Sequence, residues 1–319
     1  MSEILIFAPM TGSGPSPVFR ELITAAREVK SLSGERIHVL AADDGVLSHK
    51  EEFSVAGIDE VTLIHTPGIT ASHTDGLSQA IFAAIRGRDI SLLLSPSDHR
   101  TRSMLSRLSV KLDTGMTAAC SRLIAEKTAD GVRVHQLKTS FGSQAWVTCD
   151  ITSKPNVITI LDDSYEPVTE KGSPKITVVE MPDITSAIEV GELTKDHTAN
   201  RLRGADFVVC VGRGTLENGS LELARRYAEA RGAALAGSRP MADQGLIPFT
   251  SQIGESGTVI RPEACLIFGV SGAIQFTEGI KGDPVVIAVN QDAEAPIFRS
   301  ADYKVVGDAK EILDALMKR

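Results

Sequence analysis

Residues 264–276, ACLIFGVSGAIQF, decide the fold, because a short apolar run ends there at a turn made of small residues. A continuous apolar run of this length is typical of a strand buried on both faces of a parallel sheet. Such runs recur through the second half of the chain, at Phe207–Val211, Ala233–Ala236, Cys265–Val270 and Val285–Val289. With helices predicted at Leu221–Arg231 and Asp308–Met317, the pattern predicts a doubly wound α/β domain.

The two predicted helices carry end signals. Ser220 precedes the first as a candidate N-cap, and Gly232 follows it. Asp308 precedes the second helix and Glu311 follows three residues later, which is a capping-box pattern.

The first half alternates strand-like and helix-like segments. Strands are predicted at Ile4–Ala8, Ile37–Ala41, Val61–Ile64 and Ser91–Ser95, and helices at Pro17–Lys30 and Leu77–Ile85. This order predicts a mainly parallel sheet. Later runs at Gly131–Val134, Ala145–Ile151 and Asn156–Leu161 are expected to form an antiparallel extension, and Ile176–Glu180 a further strand. We therefore predict two doubly wound α/β domains with mainly parallel sheets, residues 1–190 and 203–319, joined by a polar linker over residues 191–202.

Charge and hydropathy exclude several classes of function. The net charge of −8 argues against a nucleic-acid-binding protein, which needs clustered Lys and Arg. No apolar run approaches the roughly 20 residues that span a bilayer, so we expect no stable membrane insertion. The N-terminus MSEILIFAP lacks the basic region of a signal peptide, and we predict a cytoplasmic location.

The cysteine and histidine positions bear on metal binding and catalysis. Cys120, Cys149, Cys210 and Cys265 lie far apart and form no C-x-x-C pair, so we expect buried thiols and no metal site. All seven histidines lie before residue 200, which leaves the second domain without a histidine acid or base.

Two glycine-containing turns are candidate phosphate sites. VGRGTLE, residues 211–217, follows a strand, but Glu217 stands where the dinucleotide fingerprint has its third glycine. Taken alone, the segment is more typical of an ordinary strand-to-helix turn. GVSGA, residues 269–273, nearly matches the hydrolase nucleophile elbow, but no histidine follows Ser271 to complete a triad. The segment instead offers amides that can hold pyrophosphate, or a tight turn with a capping serine.

Two further segments are candidates for ligand contact. In GSRP, residues 237–240, Arg239 precedes a proline and is expected to be extended, with its guanidinium projecting from the strand end. It is a candidate partner for a ring carrying negative charge, and an exposed, salt-bridged arginine is equally expected. QIGESG, residues 252–257, has the composition of a loop that wraps a ligand, although a surface turn is the default for such a segment.

Together, in this order and spacing, these segments resemble the C-terminal domain of electron transfer flavoprotein alpha subunits. The resemblance is carried most strongly by SGAIQ at residues 271–275, AVNQDAEAPIF at 288–298 and ADYKVVGD at 301–308. The first domain is similar more loosely. Its TGMTAAC motif, residues 114–120, is similar to a branch that includes bacterial electron-bifurcating members, within a segment, Arg102–Leu123, that resembles the family's partner-facing region.

The resemblance implies that the C-terminal domain binds FAD and that particular residues hold it. These are Arg213, Ser238, Arg239, Gln252, Ile253, Gly254, Glu255, Ser256, Ser271, Gly272, Ala273, Ile274, Gln275, Phe276, Asn290, Asp308 and Ala309. By analogy, Arg239 lies against the isoalloxazine and the Ser256 hydroxyl approaches flavin N5. Residues 271–275 serve the pyrophosphate and ribityl chain, and Asn290 and Asp308 serve the adenosine end.

Two positions depart from the family pattern. Phe276 stands where many relatives carry a histidine that hydrogen-bonds the flavin, and Glu255 stands where relatives often carry glutamine. Both changes are expected to make the site less able to stabilise a negatively charged flavin.

The resemblance implies a redox carrier rather than a substrate-converting enzyme, with no catalytic residues of its own. It would form a heterodimer with a beta subunit and carry electrons from a dehydrogenase to a protein acceptor. Two alternatives stay open from the residues alone. One is an NAD-dependent oxidoreductase, which would need an acid or base beside the nucleotide. The other is a redox-inactive nucleotide-binding interaction subunit.

Overall fold

The computed structural model describes residues 2–129, 131–140, 145–191, 202 and 204–318. The chain divides into two compact units, and the boundary between them falls between residues 192 and 193. The predicted linker falls almost wholly outside the described residues, which include only its two ends, 191 and 202.

The described residues of the N-terminal unit form a parallel sheet, two small antiparallel sheets and three helices. Its strands are β1 (Glu3–Phe7), β2 (Met10–Thr11), β3 (Gly14–Pro15), β4 (Arg36–Asp43), β5 (Glu60–His65), β6 (Ile90–Pro96), β7 (Met116–Cys120), β8 (Arg122–Thr128), β9 (Gly131–Ser140), β10 (Ala145–Cys149), β11 (Asn156–Ile160) and β12 (Lys175–Glu180). Its helices are α1 (Phe19–Ser33), α2 (Thr74–Ile85) and α3 (His99–Lys111), with a 3₁₀ segment at Val46–Phe53. The parallel sheet has the order β12-β5-β4-β1-β6-β11-β7.

The central strand β1 divides this unit's core into two layers. Ile4 and Ile6 pack on the side of α1, whereas Leu5 and Phe7 pack on the side of α2 and α3. Successive side chains of a strand point to opposite faces, so a continuous apolar run fills both layers at once.

The antiparallel extension is smaller than predicted. β8, β9 and β10 form it, but β11 pairs in parallel with β6 and β7 inside the main sheet. Val157, Ile158 and Ile160 of β11 are fully buried, which requires cover on both faces. The prediction for residues 156–161 was therefore wrong in sheet and direction.

The C-terminal unit is a single parallel sheet with short helices. Its strands are β13 (Phe207–Val211), β14 (Ala234–Gly237), β15 (Ala264–Phe268), β16 (Val285–Asn290) and β17 (Tyr303–Val306). Its helices are α4 (Ser220–Ala230), α5 (Arg239–Asp243), α6 (Ile274–Thr277) and α7 (Ala309–Met317), with 3₁₀ turns at Arg213–Thr215, Phe249–Ser251 and Pro296–Ser300. The order β14-β13-β15-β16-β17, parallel throughout, confirms the predicted fold class.

The helix ends test the capping predictions. The Asp308 carboxylate accepts hydrogen bonds from the backbone N–H groups of Lys310 and Glu311, so its predicted N-cap role is confirmed. Ser220 is not a cap, since α4 begins at Ser220 itself and Gly219, with φ of 75°, occupies the N-cap position. Gly219 adopts a left-handed conformation that other residues reach only at a cost.

Three of the four thiols are buried as predicted, and Cys149 is half-buried. Burial raises the pKa of Cys120 to about 12. A hydrogen bond with Cys265 on the neighbouring strand, together with burial, raises the pKa of Cys210 well above its usual value. Along the described chain, no helix has the length and apolar character needed to cross a membrane. The cytoplasmic location stays a prediction.

A partly buried polar cluster joins β1, β4, β5 and the turn before β6 at the amino end of the first sheet. The guanidinium of Arg88 donates to both carboxylate oxygens of Glu3, at 2.6 and 2.8 Å, and to His38 Nδ1 at 2.8 Å. The ring of His38, which is 1% exposed, also contacts Thr62 Oγ1 at 2.9 Å. Burial acts to raise the pKa of Glu3, but the two hydrogen bonds and the positive charge of Arg88 outweigh it and lower that pKa from 4.5.

We expect Glu3→Gln to destabilise the protein in a pH-dependent way. A carboxylate whose pKa is lowered in the folded state stabilises the fold above pH 4.5, and this contribution is lost as the pH falls through the folded-state pKa. At pH 7 the loss should be about 1.5–3 kcal/mol, as for a hydrogen bond to a charged group. Urea unfolding at pH 7 and pH 4 should show the difference from the native protein shrinking with acid. Glu170→Gln, at an exposed carboxylate, is the control, and a pH-independent Glu3 effect would contradict the assignment.

Candidate functional site

The order of the second sheet marks where a ligand can enter. β13 lies between β14 and β15. The chain therefore runs from β13 to β14 on one side and then crosses to β15 on the other side, which makes β13 and β15 the switch point of the sheet. Ligands of open α/β sheets bind at the carboxyl ends of the strands beside such a switch point. The loops that follow β13 and β15 therefore define the site.

Three glycines bring these two loops into backbone contact. Gly214 N donates to Gly269 O at 3.0 Å, and Gly212 N donates to Phe268 O at 2.9 Å. A Cβ atom added at Gly212 would lie 2.4 Å from Gly269 O, and one added at Gly269 would lie 2.7 Å from the Gly214 backbone. A 3₁₀ turn, Arg213–Thr215, follows Gly212, and α4 begins at Ser220, close to the predicted start of this helix at Leu221. These glycines allow the loop after β13 and the loop after β15 to pack against each other through their backbones.

The GSRP segment differs from its predicted conformation. Ser238, not Arg239, is the extended residue, and Arg239 is the first residue of α5 with Pro240 in the first helical turn. Proline is favoured there because its missing N–H is unpaired in any helix and its φ suits the helix. The Arg239 side chain is 68% exposed, and its Nε lies 3.6 Å from Asp243 Oδ2.

The loop at residues 252–257 is held from both sides by main-chain bonds. Ile253 N donates to Gly237 O at 2.9 Å, and Glu255 N donates to Gln275 O at 2.8 Å. Gly254 has φ of 145°, and a Cβ there would lie 2.6 Å from Gln275 O. The loop is thereby fixed between the end of β14 and α6.

A buried amide supports the hydroxyl at the tip of this loop. Gln252 is 5% exposed, and its Nε2 donates to Ser256 Oγ at 3.2 Å. An oxygen that accepts one hydrogen bond keeps its own proton for another acceptor. The exposed Ser256 hydroxyl can therefore donate into the cavity.

The loop after β15 leads into the single turn of α6. Gly272 has φ of 85°, and a Cβ there would lie 2.1 Å from Ile297 N, so only glycine fits. Ile297 N donates to Ser271 O at 3.0 Å. Phe276 is 5% exposed and belongs to the same buried cluster as Ile253.

The two residues predicted for the adenosine end make structural bonds. Asn290 Nδ2 donates to Val270 O at 2.9 Å, which ties the end of β16 to the loop after β15. Asp308 caps α7 and also accepts from Gln291 Nε2 at 2.6 Å.

A cavity of about 930 Å³ lies among these segments. Most of the predicted site residues line it: Arg213, Ser238, Arg239, Gln252, Ile253, Gly254, Glu255, Ser256, Ser271, Ala273, Gln275, Phe276 and Asn290. Four predicted residues do not: Gly272, Ile274, Asp308 and Ala309. The lining also includes residues that sequence reasoning missed, namely Gly214, Pro240, Gly269, Val270, Asp292, Ala295 and Pro296. Three of these, Gly214, Pro240 and Val270, are immediate neighbours of predicted residues, which is the signal that could have found them.

The cavity has the size and chemistry for a flavin dinucleotide. Its volume is near the upper end of the roughly 300–1,000 Å³ usual for small-molecule sites. The cations Arg213 and Arg239 suit phosphate or a negatively charged ring, and Ser238, Ser256 and Ser271 offer hydroxyl donors. The contact of each residue with FAD stays a prediction.

The fold and the site are those of a nucleotide-binding protein with two α/β units. A family model described as "Electron transfer flavoprotein domain" matches residues 4–184, and one described as "Electron transfer flavoprotein FAD-binding domain" matches residues 201–281. The chain belongs to the electron transfer flavoprotein family, as an alpha-type member whose C-terminal domain binds FAD. Its function is electron transfer.

Individual relatives agree with this family. The chain is 30% identical to "Electron transfer flavoprotein subunit alpha" of Methylophilus methylotrophus, over 99% of this chain and 98% of the relative. It is 27% identical to the protein of the same name in Pseudomonas aeruginosa, over 99% of each. It is also 30% identical to "Lactate dehydrogenase (NAD(+),ferredoxin) subunit LctC" of Acetobacterium woodii, over 94% of this chain and 72% of the relative.

We expect Gly269→Ala to lower both the stability of the protein and its retention of FAD. The loss should be larger than the cost of placing alanine in a left-handed conformation. Gly269 has φ of 61°, and its added Cβ would meet the Gly214 backbone at 2.7 Å. The left-handed conformation alone costs about 1–2 kcal/mol, and the contact adds displacement of the loop after β13. Thermal unfolding and the FAD retained per chain measure the effect.

Gly282→Ala is the matched control for this comparison. Gly282 has φ of 83°, but an added Cβ would meet nothing within 4 Å. If both variants lose the same stability and retain the same FAD, the loop–loop contact does not hold the site.

Proposed function

We propose that this chain carries FAD in a heterodimer with a beta-type subunit, accepting electrons from a dehydrogenase and passing them to a protein acceptor. The observation that carries the proposal is the cavity at the switch point of the second sheet, where a buried framework presents two arginines and three hydroxyls. FAD supplies the electron chemistry when bound. The protein supplies binding, orientation and charge.

Each group in the cavity has a role that follows from its position. Arg239, exposed and only loosely paired with Asp243, can turn its guanidinium onto a flavin ring. Ser256, supported by Gln252, would donate a hydrogen bond to a ring nitrogen. Amides and the hydroxyl of residues 271–275 would hold the pyrophosphate. None of these roles requires a nucleophile or a general base, which disfavours the NAD-dependent alternative.

The partner surface is proposed to include the TGMTAAC segment. Its strand β7 is the last strand of the parallel sheet, so one of its edges has no neighbour within that sheet. Such an edge is a ready place for another chain to pack. Thr114 Oγ1 lies 2.7 Å from Ser153 Oγ and donates to Pro155 O at 2.8 Å, which holds the approach to this strand in place.

The test is to produce the chain with and without a beta-type subunit and to record mass and visible absorbance. We expect a one-to-one complex with flavin bands that bleach when a reductant is added and return with an acceptor protein. A colourless complex would favour the redox-inactive alternative. A monomer or homodimer that shuttles electrons unaided would overturn the heterodimer.

We expect Arg239→Ala to lower the flavin potential, because the reduced flavin anion loses a positive partner. A charge-assisted contact contributes about 1.5–3 kcal/mol, and solvent screening at this exposed side chain reduces it. The shift should therefore be tens of millivolts, and Arg239→Lys should recover part of it. Arg231→Ala is the control, since that guanidinium lies over the Tyr227 ring and outside the cavity. An unchanged potential with FAD fully bound would refute the assignment.

We expect Phe276→His to raise the potential relative to the native protein. Phe276 lines the cavity from a buried cluster and brings no hydrogen-bond donor, whereas an imidazole can donate to a carbonyl that gains negative charge. Stepwise reduction followed by absorbance measures the change, and it should be largest at pH values where the imidazole is protonated. Phe276→Leu separates packing from donation. Equal potentials for the histidine and leucine variants would show that residue 276 only packs.

A further inference from the structure

The lining of the cavity in the C-terminal unit follows the order of the strands in the second sheet. Besides the loops at 213–214 and 252–256, it draws on residues 238–240 after β14, 269–276 after β15 and 290–296 after β16. β14 and β16 lie on opposite sides of the β13–β15 pair. A FAD molecule with its flavin beside Arg239 and its pyrophosphate on the loop after β15 therefore has its adenosine at the end of β16. This position of the adenosine rests on the proposed function.

The two residues that the family resemblance assigns to the adenosine are already engaged within the protein. Asp308 does not line the cavity, and its Oδ1 accepts from two backbone N–H groups of α7 while its Oδ2 accepts from Gln291 Nε2 at 2.6 Å. The Asn290 amide donates to Val270 O at 2.9 Å and accepts from Asp292 N at 3.0 Å. Both side chains therefore hold the ends of β16 and β17 in place.

Asp292 has a carboxylate oxygen that the protein does not use. Its side chain is exposed and lines the cavity. Oδ1 accepts from Glu294 N at 2.9 Å, and this bond holds the side chain against its own loop. Among the described residues, none donates a hydrogen bond to Oδ2 or forms an ion pair with it. The end of β16 thus presents one fixed carboxylate with a free acceptor.

A carboxylate in this cavity needs a hydrogen-bond donor from the ligand. It can only accept hydrogen bonds, and it repels a pyrophosphate bound in the same cavity. The adenosine end of FAD brings two kinds of donor, the 2′ and 3′ hydroxyls of the ribose and the amino group of the adenine. An acidic residue that binds a ribose hydroxyl is a recurrent feature of dinucleotide sites in open α/β sheets. The ribose is therefore the better match for Asp292.

We propose that Asp292 is a specificity-determining residue for FAD. Its free carboxylate oxygen accepts hydrogen bonds from the ribose hydroxyls of the adenosine, so that the cavity favours a flavin whose far end carries a ribose over one whose far end lacks these hydroxyls. Asn290 and Asp308 act on the adenosine only through the loops that they hold.

The test compares two variants that remove the same charge from the same loop. Asp292→Asn keeps the Oδ1 acceptor for Glu294 N and replaces Oδ2 with an amide group, so the loop retains its internal bond. Glu294→Gln is the matched control, because Glu294 is exposed and does not line the cavity.

Three ligands separate the ribose from the base. They are FAD, an analogue whose adenosine lacks the 2′ and 3′ hydroxyls, and an analogue with hypoxanthine in place of adenine, which lacks the amino group. Each is titrated into the complex of the full chain with a beta-type subunit after removal of bound flavin, and affinity is measured by flavin fluorescence. The beta-type subunit is the same in every sample, so differences between variants belong to this chain.

We expect Asp292→Asn to bind FAD roughly tenfold more weakly than the native protein, because a hydrogen bond to a charged group is lost. The native protein should bind the dideoxy analogue more weakly than FAD by a similar factor. Asp292→Asn should bind these two ligands about equally, because neither pair then has the hydroxyl–carboxylate contact. Glu294→Gln should bind all three ligands as the native protein does.

Three outcomes would overturn the assignment. The first is equal FAD affinity in the native protein and Asp292→Asn, or an equal loss in Glu294→Gln. The second is the same preference for FAD over the dideoxy analogue in the native protein and Asp292→Asn. The third is a preference for FAD over the hypoxanthine analogue that disappears in Asp292→Asn, which would assign the carboxylate to the adenine amino group. A native complex that binds no FAD would instead contradict the proposed function.

Discussion

The contact between the glycines of two loops is the constraint on which the C-terminal unit depends. Gly214 and Gly269 approach so closely that neither backbone has room for a Cβ atom on the other. This contact seats the loops after β13 and β15 against each other at the switch point, and the cavity opens between their outer faces and the 252–257 loop. A second close contact between two glycines, Gly254 and Gly279, lies beside α6. A Cβ atom at Gly279 would lie 2.3 Å from Gly254 N. The site is therefore shaped by backbone contacts first and by side chains second.

Strands with a continuous apolar run could be predicted from the sequence, whereas the exposed edge strand β17 could not. β1, β13 and β15 are continuous apolar runs because helices cover both of their faces. β17 is an edge strand whose residues are mostly exposed, so its sequence, YKVV, carries no buried pattern. The pairing direction of a strand was the second feature that the sequence did not predict. The apolar run of β11 indicated a strand, but its direction depends on β6 and β7, which are distant in the chain.

The candidate site was found by the order of short segments and not by any single one. Each segment alone fitted an ordinary turn, and the structure shows that several do serve as turns: the glycines of VGRG contact a neighbouring loop, and Asp308 caps its helix. Local rules failed where two of them competed. A residue before proline avoids the helical region, but proline also favours the first turn of a helix, and at Arg239 the second preference prevailed. Ser220 was predicted as the N-cap of α4, but the N-cap is Gly219, one residue earlier, in a left-handed conformation.

A framework fixed by backbone contacts leaves its side chains free to set the flavin's electrostatic surroundings. Phe276 illustrates this freedom, because its main chain belongs to the one-turn helix that orders the 252–257 loop while its ring faces both the core and the cavity. The ring takes no part in the main-chain bonds that hold these loops, such as the one from Ile297 N to Ser271 O. Glu255 is the same case on the exposed side: its N–H is tied to Gln275 O, and its carboxylate remains at the surface. Backbone contacts thus shape the cavity, and the side chains at the same positions determine its charge and its hydrogen-bond donors.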